Sequence, residues 1–182
     1  LYQDCLITVT SFFRDRAVFE ALREHVFPSL LRLPDAPVRV WVPGCATGEE
    51  VYSIAICLLE RGGQLSRNPS LQIFATDLNE SALATARVGR YPASIAQDVS
   101  AERLQRFFAK LEGQYQVSKS LREMCVFARH DLAKDPPFSR MDLISSRNVL
   151  IYMEPGLQER VFATFHYALN PEGFLLLGTS ES

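Results

Sequence analysis

Apolar positions along the chain recur with two alternating periods. Val18, Phe19, Leu22, Val26 and Leu30 share one helical face and predict a helix over Ala17–Leu31, before Pro34 and Pro37 punctuate the chain. Val38-Arg39-Val40-Trp41-Val42 predicts a strand closed by Pro43-Gly44. Helical spacing returns from Glu49 to Leu59, with Gly62-Gly63 as its expected stop. Leu71–Ala75 is the next strand, and Asn79 is suited to cap a helix over Glu80–Val88. Ser100 is suited to cap another helix through Ala109, and Gly113–Val117 and Met124–Ala128 predict short strands around a polar turn. Met141–Ile144 predicts a buried strand, and Pro155–Leu169 a helix with proline in its first turn. Pro171-Glu172-Gly173 then turns into the apolar strand Phe174–Leu177.

Strands alternating with helices imply a parallel sheet covered on both faces, a doubly wound, Rossmann-like α/β fold. Ligands of such sheets sit beyond the carboxyl ends of the strands, so chemistry is sought in the residues after each strand. Composition narrows the function classes. With 182 residues, 47% apolar and 22% charged, the chain is no disordered segment and suits one domain over residues 1–182. Its 19 basic and 21 acidic residues give a net charge of −2, which provides no general electrostatic grip on nucleic acid. No apolar run approaches the roughly 20 residues that span a bilayer. Cys5, Cys45, Cys57 and Cys125 form no CxxC pair, and His25, His130 and His166 have no ligand spacing, so no metal site is expected. A cytoplasmic location with reduced thiols is the expectation. The chain starts at Leu1, as a piece excised from a longer protein would.

The turn after the first strand, Gly44-Cys45-Ala46-Thr47-Gly48-Glu49-Glu50, is glycine-rich and opens a helix. It is not a P-loop, because no Lys-Ser/Thr pair follows the second glycine, and it does not match GxGxxG. Glu49 and Glu50 in the first helical turn would repel a pyrophosphate, yet suit a cationic nucleoside such as S-adenosylmethionine (SAM). The same residues have a plainer explanation: Thr47-x-x-Glu50 is a capping box, and acidic residues favour helix N-termini. After the second strand, Asp77 is placed to accept hydrogen bonds from a ribose diol, or simply to start the next turn.

Four colinear stretches resemble the chemotaxis-receptor (CheR-type) protein-glutamate methyltransferases. They are Thr10-Ser11-Phe12-Phe13-Arg14-Asp15, Gly44 through Ser53, Phe74-Ala75-Thr76-Asp77-Leu78 and Arg147-Asn148-Val149-Leu150-Ile151-Tyr152. Lys134 through Phe138 and the closing Gly178-Thr179-Ser180-Glu181-Ser182 look most like the methyltransferase segment of fusions that also carry a receptor-methylesterase domain. The resemblance implies a SAM-dependent methyltransferase domain, truncated at both ends, with a small antiparallel insertion at about residues 90–125. It also implies roles. Thr8, Thr10 and Arg14 would fold over the cofactor, Gly44 would belong to its loop, Glu50 would hold its methionyl end and Asp77 its ribose. Asp131 and Leu132 would flank the adenine, and Asn148 and Val149 would lie near the methyl group. Arg14 and Tyr152 would face the incoming carboxylate as the catalytic pair. Thr8 and Asp131 depart from the family pattern, which commonly has Asn at both; a carboxylate at 131 cannot donate to a ring nitrogen.

The implied reaction esterifies glutamates of a chemoreceptor's cytoplasmic domain and leaves S-adenosylhomocysteine (SAH). A carboxylate is already ionised at neutral pH, which explains why no Cys, His or Ser catalytic constellation appears. The basic residues between Arg103 and Arg129 would help meet the receptor, while the short hairpin at Glu112–Tyr115 is not expected to add a receptor tail as a strand. Two alternatives remain at this level: a SAM-binding sensor or scaffold module without strong catalysis, and a methyltransferase for a small molecule.

Overall fold

Strand β1 (Val38–Pro43) sends Val38, Val40 and Val42 into one apolar core and Trp41 into another. A strand buried on both faces needs covering layers on both sides, and the rest of the architecture supplies them. The computed structural model describes residues 10–32 and 36–181, so Cys5 and Thr8 lie outside the described residues. β1 pairs in parallel with β2 (Leu71–Asp77) from Val38↔Leu71 to Pro43↔Thr76, and on its other side with β7 (Met141–Ser146) at Val40↔Leu143. With β6 (Cys125–Arg129) and β8 (Leu169–Leu177) they form a five-stranded parallel sheet of order β6-β2-β1-β7-β8. The order reverses between β1 and β7, which opens a crevice at their carboxyl ends.

One face carries α1 (Arg16–Ala21), a π-helical turn at Leu22–Val26, α2 (Phe27–Leu30), α3 (Glu49–Gln64) and α4 (Glu80–Val88). The other is covered by α7 (Pro155–Ala168), whose Val161, Phe165 and Ala168 pack with Trp41 and Ile144. Between α4 and β6 lie β3 (Arg90–Pro92), a 3-10 turn, α5 (Ala101–Phe107), β4 (Phe108–Leu111), β5 (Gln114–Val117) and α6 (Lys119–Glu123). Here β3, β5 and β4 make a separate antiparallel sheet. Its Tyr91, Phe108 and Val117 join the first core, so this insertion is packed onto the helices of that face rather than hung from them.

The doubly wound fold expected from the alternating pattern is present. Boundaries differ in instructive places. α3 runs through Gly62 and Gly63 to Gln64, because Gly62 serves close packing: a Cβ there would lie 2.5 Å from Pro69. The left-handed turn that ends the segment falls instead on Ser66, at φ +53°. Ser100 caps its helix through Arg103 N–H, but the helix ends at Phe107, where pairing with Val117 draws Phe108 into a strand. The polar turn before Cys125 is a short helix capped by Ser118. The Pro171-Glu172-Gly173 turn is absorbed into β8 as an irregularity, between the pairs Met141↔Leu169 and Leu143↔Phe174.

Helix α7 provides a direct test of the packing. Phe165 is fully buried and Tyr167 is 73% exposed. Urea unfolding should show Phe165→Ala losing about 3–5 kcal/mol and Tyr167→Ala changing stability by no more than about 0.5 kcal/mol.

Candidate functional site

The crevice at the carboxyl ends of β1 and β7 is lined by Thr10 and Arg14, the Gly44–Ala46 turn, Glu50, Arg147 and Asn148. The turn after β1 is shaped by steric demand. Gly44 has φ +65°, and a Cβ on it would stand 2.4 Å from Val149 Cγ2, so only glycine lets the segment after β7 close against this loop. Hydrogen bonds then fix the loop from three sides. Cys45 N–H donates to Thr76 O at 3.0 Å, Ala46 N–H to Asp77 Oδ2 at 2.8 Å, and the Tyr91 hydroxyl to Thr47 O at 2.7 Å.

Two explanations of the acidic helix start are thereby separated. The capping box does not form: α3 begins after Gly48 without a side-chain cap, and the Thr47 hydroxyl donates to Glu49 Oε2 at 2.6 Å. Glu50 turns into the crevice instead. It accepts from Ser145 Oγ at 2.6 Å and from Arg147 Nη1 at 3.1 Å. Burial pushes the Glu50 carboxyl above its ordinary range, against the pull of the Arg147 guanidinium and the Ser145 hydrogen bond. The Arg147 side chain is only 2% exposed; besides Glu50 it donates to Arg14 O at 3.2 Å and to the Asp15 carboxylate. It thus ties the Thr10–Asp15 segment to the end of β7. Phe13 and Asp15 accept left-handed backbone conformations, at φ +52° and +63°, to present Arg14 between them.

Asp77 ends β2 and is 8% exposed; its oxygens accept from Ala46 N–H and Asn79 N–H, the latter at 2.9 Å. A carboxylate has about four acceptor positions, so about two remain for a hydroxyl pair. Both the ordinary turn role and the ligand role are therefore compatible in one side chain. The strand next to it leads to Asp131 and Leu132, since Asp77 pairs with Arg129 and His130 N–H donates to Asp77 O at 3.2 Å. Asp131 closes its own turn by accepting from Ala133 N–H at 2.9 Å and faces Lys134 at 3.5 Å, while Leu132 packs on the Trp41 core. Asn148 takes φ +60°, and Val149 packs over Gly44. Tyr152 ends a 3-10 turn begun at Leu150, is 38% exposed, and stands outside the crevice lining.

Arg147 lies within a quoted motif without an assigned role, and Ser145 and Tyr91 carry no sequence signal of theirs, yet all three hold the crevice together. A lone cation directly after a buried strand was the available signal for Arg147. Burial raises the thiols of Cys45, Cys57 and Cys125, so none of these is an activated nucleophile. Among the described residues no cluster of His, Cys, Asp and Glu is arranged to hold a metal.

Comparison with known proteins bears on the same loops. Residues 8–182 match the family described as "CheR methyltransferase, SAM binding domain". An uncharacterized 104.1 kDa protein of Rhodobacter capsulatus is 44% identical, over 100% of this chain and 19% of that protein. The putative methyltransferase Cher3 of Pseudomonas putida is 40% identical, over 100% of this chain and 67% of its own length. Chemotaxis protein methyltransferase 1 of Pseudomonas aeruginosa is 34% identical, over 95% of this chain and 65% of its own. The chain therefore spans at most about two thirds of these relatives and a fifth of the largest. Among solved structures, the glycopeptide N-methyltransferase MtfA complexed with sinefungin superposes with a TM-score of 0.54 at 14% identity, covering 93% of this chain and 50% of that one, a likeness of fold. The family match runs through every loop that lines the crevice, and on that ground the chain belongs to the CheR methyltransferase family, as its SAM-binding domain.

Proposed function

We propose that the chain methylates glutamate side chains on the cytoplasmic domain of a chemoreceptor, acting in the cytoplasm and converting SAM to SAH. The observation that carries this reading is Glu50, an anion held in the crevice by Ser145 and Arg147 at the start of a helix whose capping it does not serve. A buried carboxylate so arranged suits an ammonium group and disfavours phosphates. Asp77, which already accepts two backbone N–H groups, has about two acceptor positions left for a ribose diol, and Val149 packs closely over Gly44 beside the crevice. Asp131 and Leu132 fit the adenine end, and Thr10, Asn148 and Val149 fit the remainder of the cofactor.

When bound, SAM supplies an electrophilic methyl group on a sulfonium. The protein's residues orient the attacking carboxylate in line with it and exclude water. No general base is needed, because the nucleophile is a carboxylate; its oxygen gains the methyl carbon as the carbon–sulfur bond electrons go to sulfur. Charge is neutralised as the reaction proceeds, so a cation that gripped the substrate too firmly would slow it. Arg14, whose backbone is held by Arg147, is suited to guide the carboxylate, and Tyr152 to shape the entrance.

Incubation with methyl-labelled SAM and chemoreceptor-bearing membranes should place label on receptor, released as methanol by mild base as an ester requires. Label that stays off receptor, or resists base, overturns the proposal. Arg14→Ala and Tyr152→Phe should lower turnover more than SAH affinity in calorimetry; equal losses in both would remove their assigned roles. Because burial raises the Glu50 pKa, protonation removes its attraction for an ammonium at a higher pH than an ordinary carboxylate near about 4.3. SAH affinity should accordingly fall as pH is lowered through that raised range. Glu50→Gln should bind about tenfold or more weakly at neutral pH and lose this step in the profile.

A further inference from the structure

The Gly178–Glu181 turn lies outside the crevice lining, yet Glu181 takes four hydrogen bonds beside it. Glu181 Oε1 accepts from Val149 N–H at 2.6 Å and Leu150 N–H at 2.7 Å. Its Oε2 accepts from Asn148 N–H and Gly178 N–H, both at 2.8 Å. Four backbone donors thus fill the roughly four acceptor positions of one carboxylate. Three of them are consecutive, with Asn148 left-handed at φ +60° and Val149 right-handed at φ −111°, ψ −47°, the alternation that turns successive N–H groups into a concave anion nest.

We propose that Glu181 is a positioning residue for the cofactor crevice: its carboxylate is the built-in anion that holds the Asn148–Leu150 nest and thereby sets Asn148 and Val149 against the Gly44 loop. This rests on the crevice being the SAM site. The carboxylate itself is outside the crevice lining, so it acts through the residues it holds. Asn148 has no glycine to ease its left-handed backbone, and the anion offsets that strain. Once fixed, the turn directs Val149 onto Gly44 with no room for an added Cβ and leaves Asn148 and Arg147 facing the crevice. A neutral amide would break the arrangement, because its NH2 group would point donors at donors.

The test compares Glu181→Gln with Val161→Ala, a variant in the core cluster that also holds Leu150, which lowers stability around the turn while keeping the Glu181 carboxylate. Hydrogen exchange without cofactor should show the Asn148–Leu150 amides of Glu181→Gln exchanging about tenfold or more faster than those of Val161→Ala. Calorimetry with SAH, well below either melting point, should show affinity about tenfold lower for Glu181→Gln and unchanged for Val161→Ala. Unaltered exchange at residues 148–150, or equal SAH affinities in the two variants, overturns the positioning role. A wild-type chain that binds no SAH overturns the SAM reading instead, and the exchange measurement still decides whether the carboxylate holds the turn.

Discussion

The site depends on one buried guanidinium. Arg147 leaves the end of β7, reaches Glu50 at the start of α3, and holds the backbone of Arg14 and the carboxylate of Asp15. Three segments far apart in the chain are thus joined by one cation that is almost excluded from water. Burying such a charge is unfavourable unless its partners are well placed, and removing one partner of a buried pair costs about 3–5 kcal/mol. The arrangement is better understood as specification than as added stability: it makes the crevice assemble in one way. The Arg147 guanidinium also pulls the pKa of the Glu50 carboxyl downward, against the burial that raises it.

Around that cation the crevice is built mainly from backbone. The Gly44 loop is pinned by Thr76, Asp77 and the insertion's Tyr91, and the turn after β7 lies directly across it. Few of the side chains around it lack a packed or hydrogen-bonded setting, so the loop and the turn hold each other in place. The small antiparallel sheet takes part in this rigidity. Phe12 packs edge-on to Tyr91 at 4.9 Å and to Phe108 at 5.6 Å, so the segment carrying Arg14 rests on the insertion. A surface expected only to meet a partner is therefore also part of the crevice's support.

Much of the fold was legible because its signals are local. The alternation of Val38, Val40 and Val42, the apolar run at Leu143 and Ile144, and the caps at Asn79 and Ser100 each depend on neighbouring residues. The failures have equally definite causes. Gly62 signalled a helix end but serves the approach of Pro69, and Phe108 left its expected helix to pair with Val117, both decided by residues several positions away. The short helix at Lys119–Glu123 is too brief for a periodic signal.

Sequence alone determined the doubly wound class and a ligand, SAM, that is cationic and free of phosphate. Those follow from periodicity, from glycines in one turn, and from the charge of adjacent residues. Only the tertiary structure decided what Glu50 does, because its partners Ser145 and Arg147 are 95 and 97 residues away. The capping box fails because other donors, Ser145 and Arg147, hold the carboxylate, and those donors arrive on and just after a neighbouring strand. Likewise the glutamate near the chain's end was one more acidic residue until folding brought four N–H groups to it. Residue type fixes what a group can accept; the sheet order fixes what is there to donate.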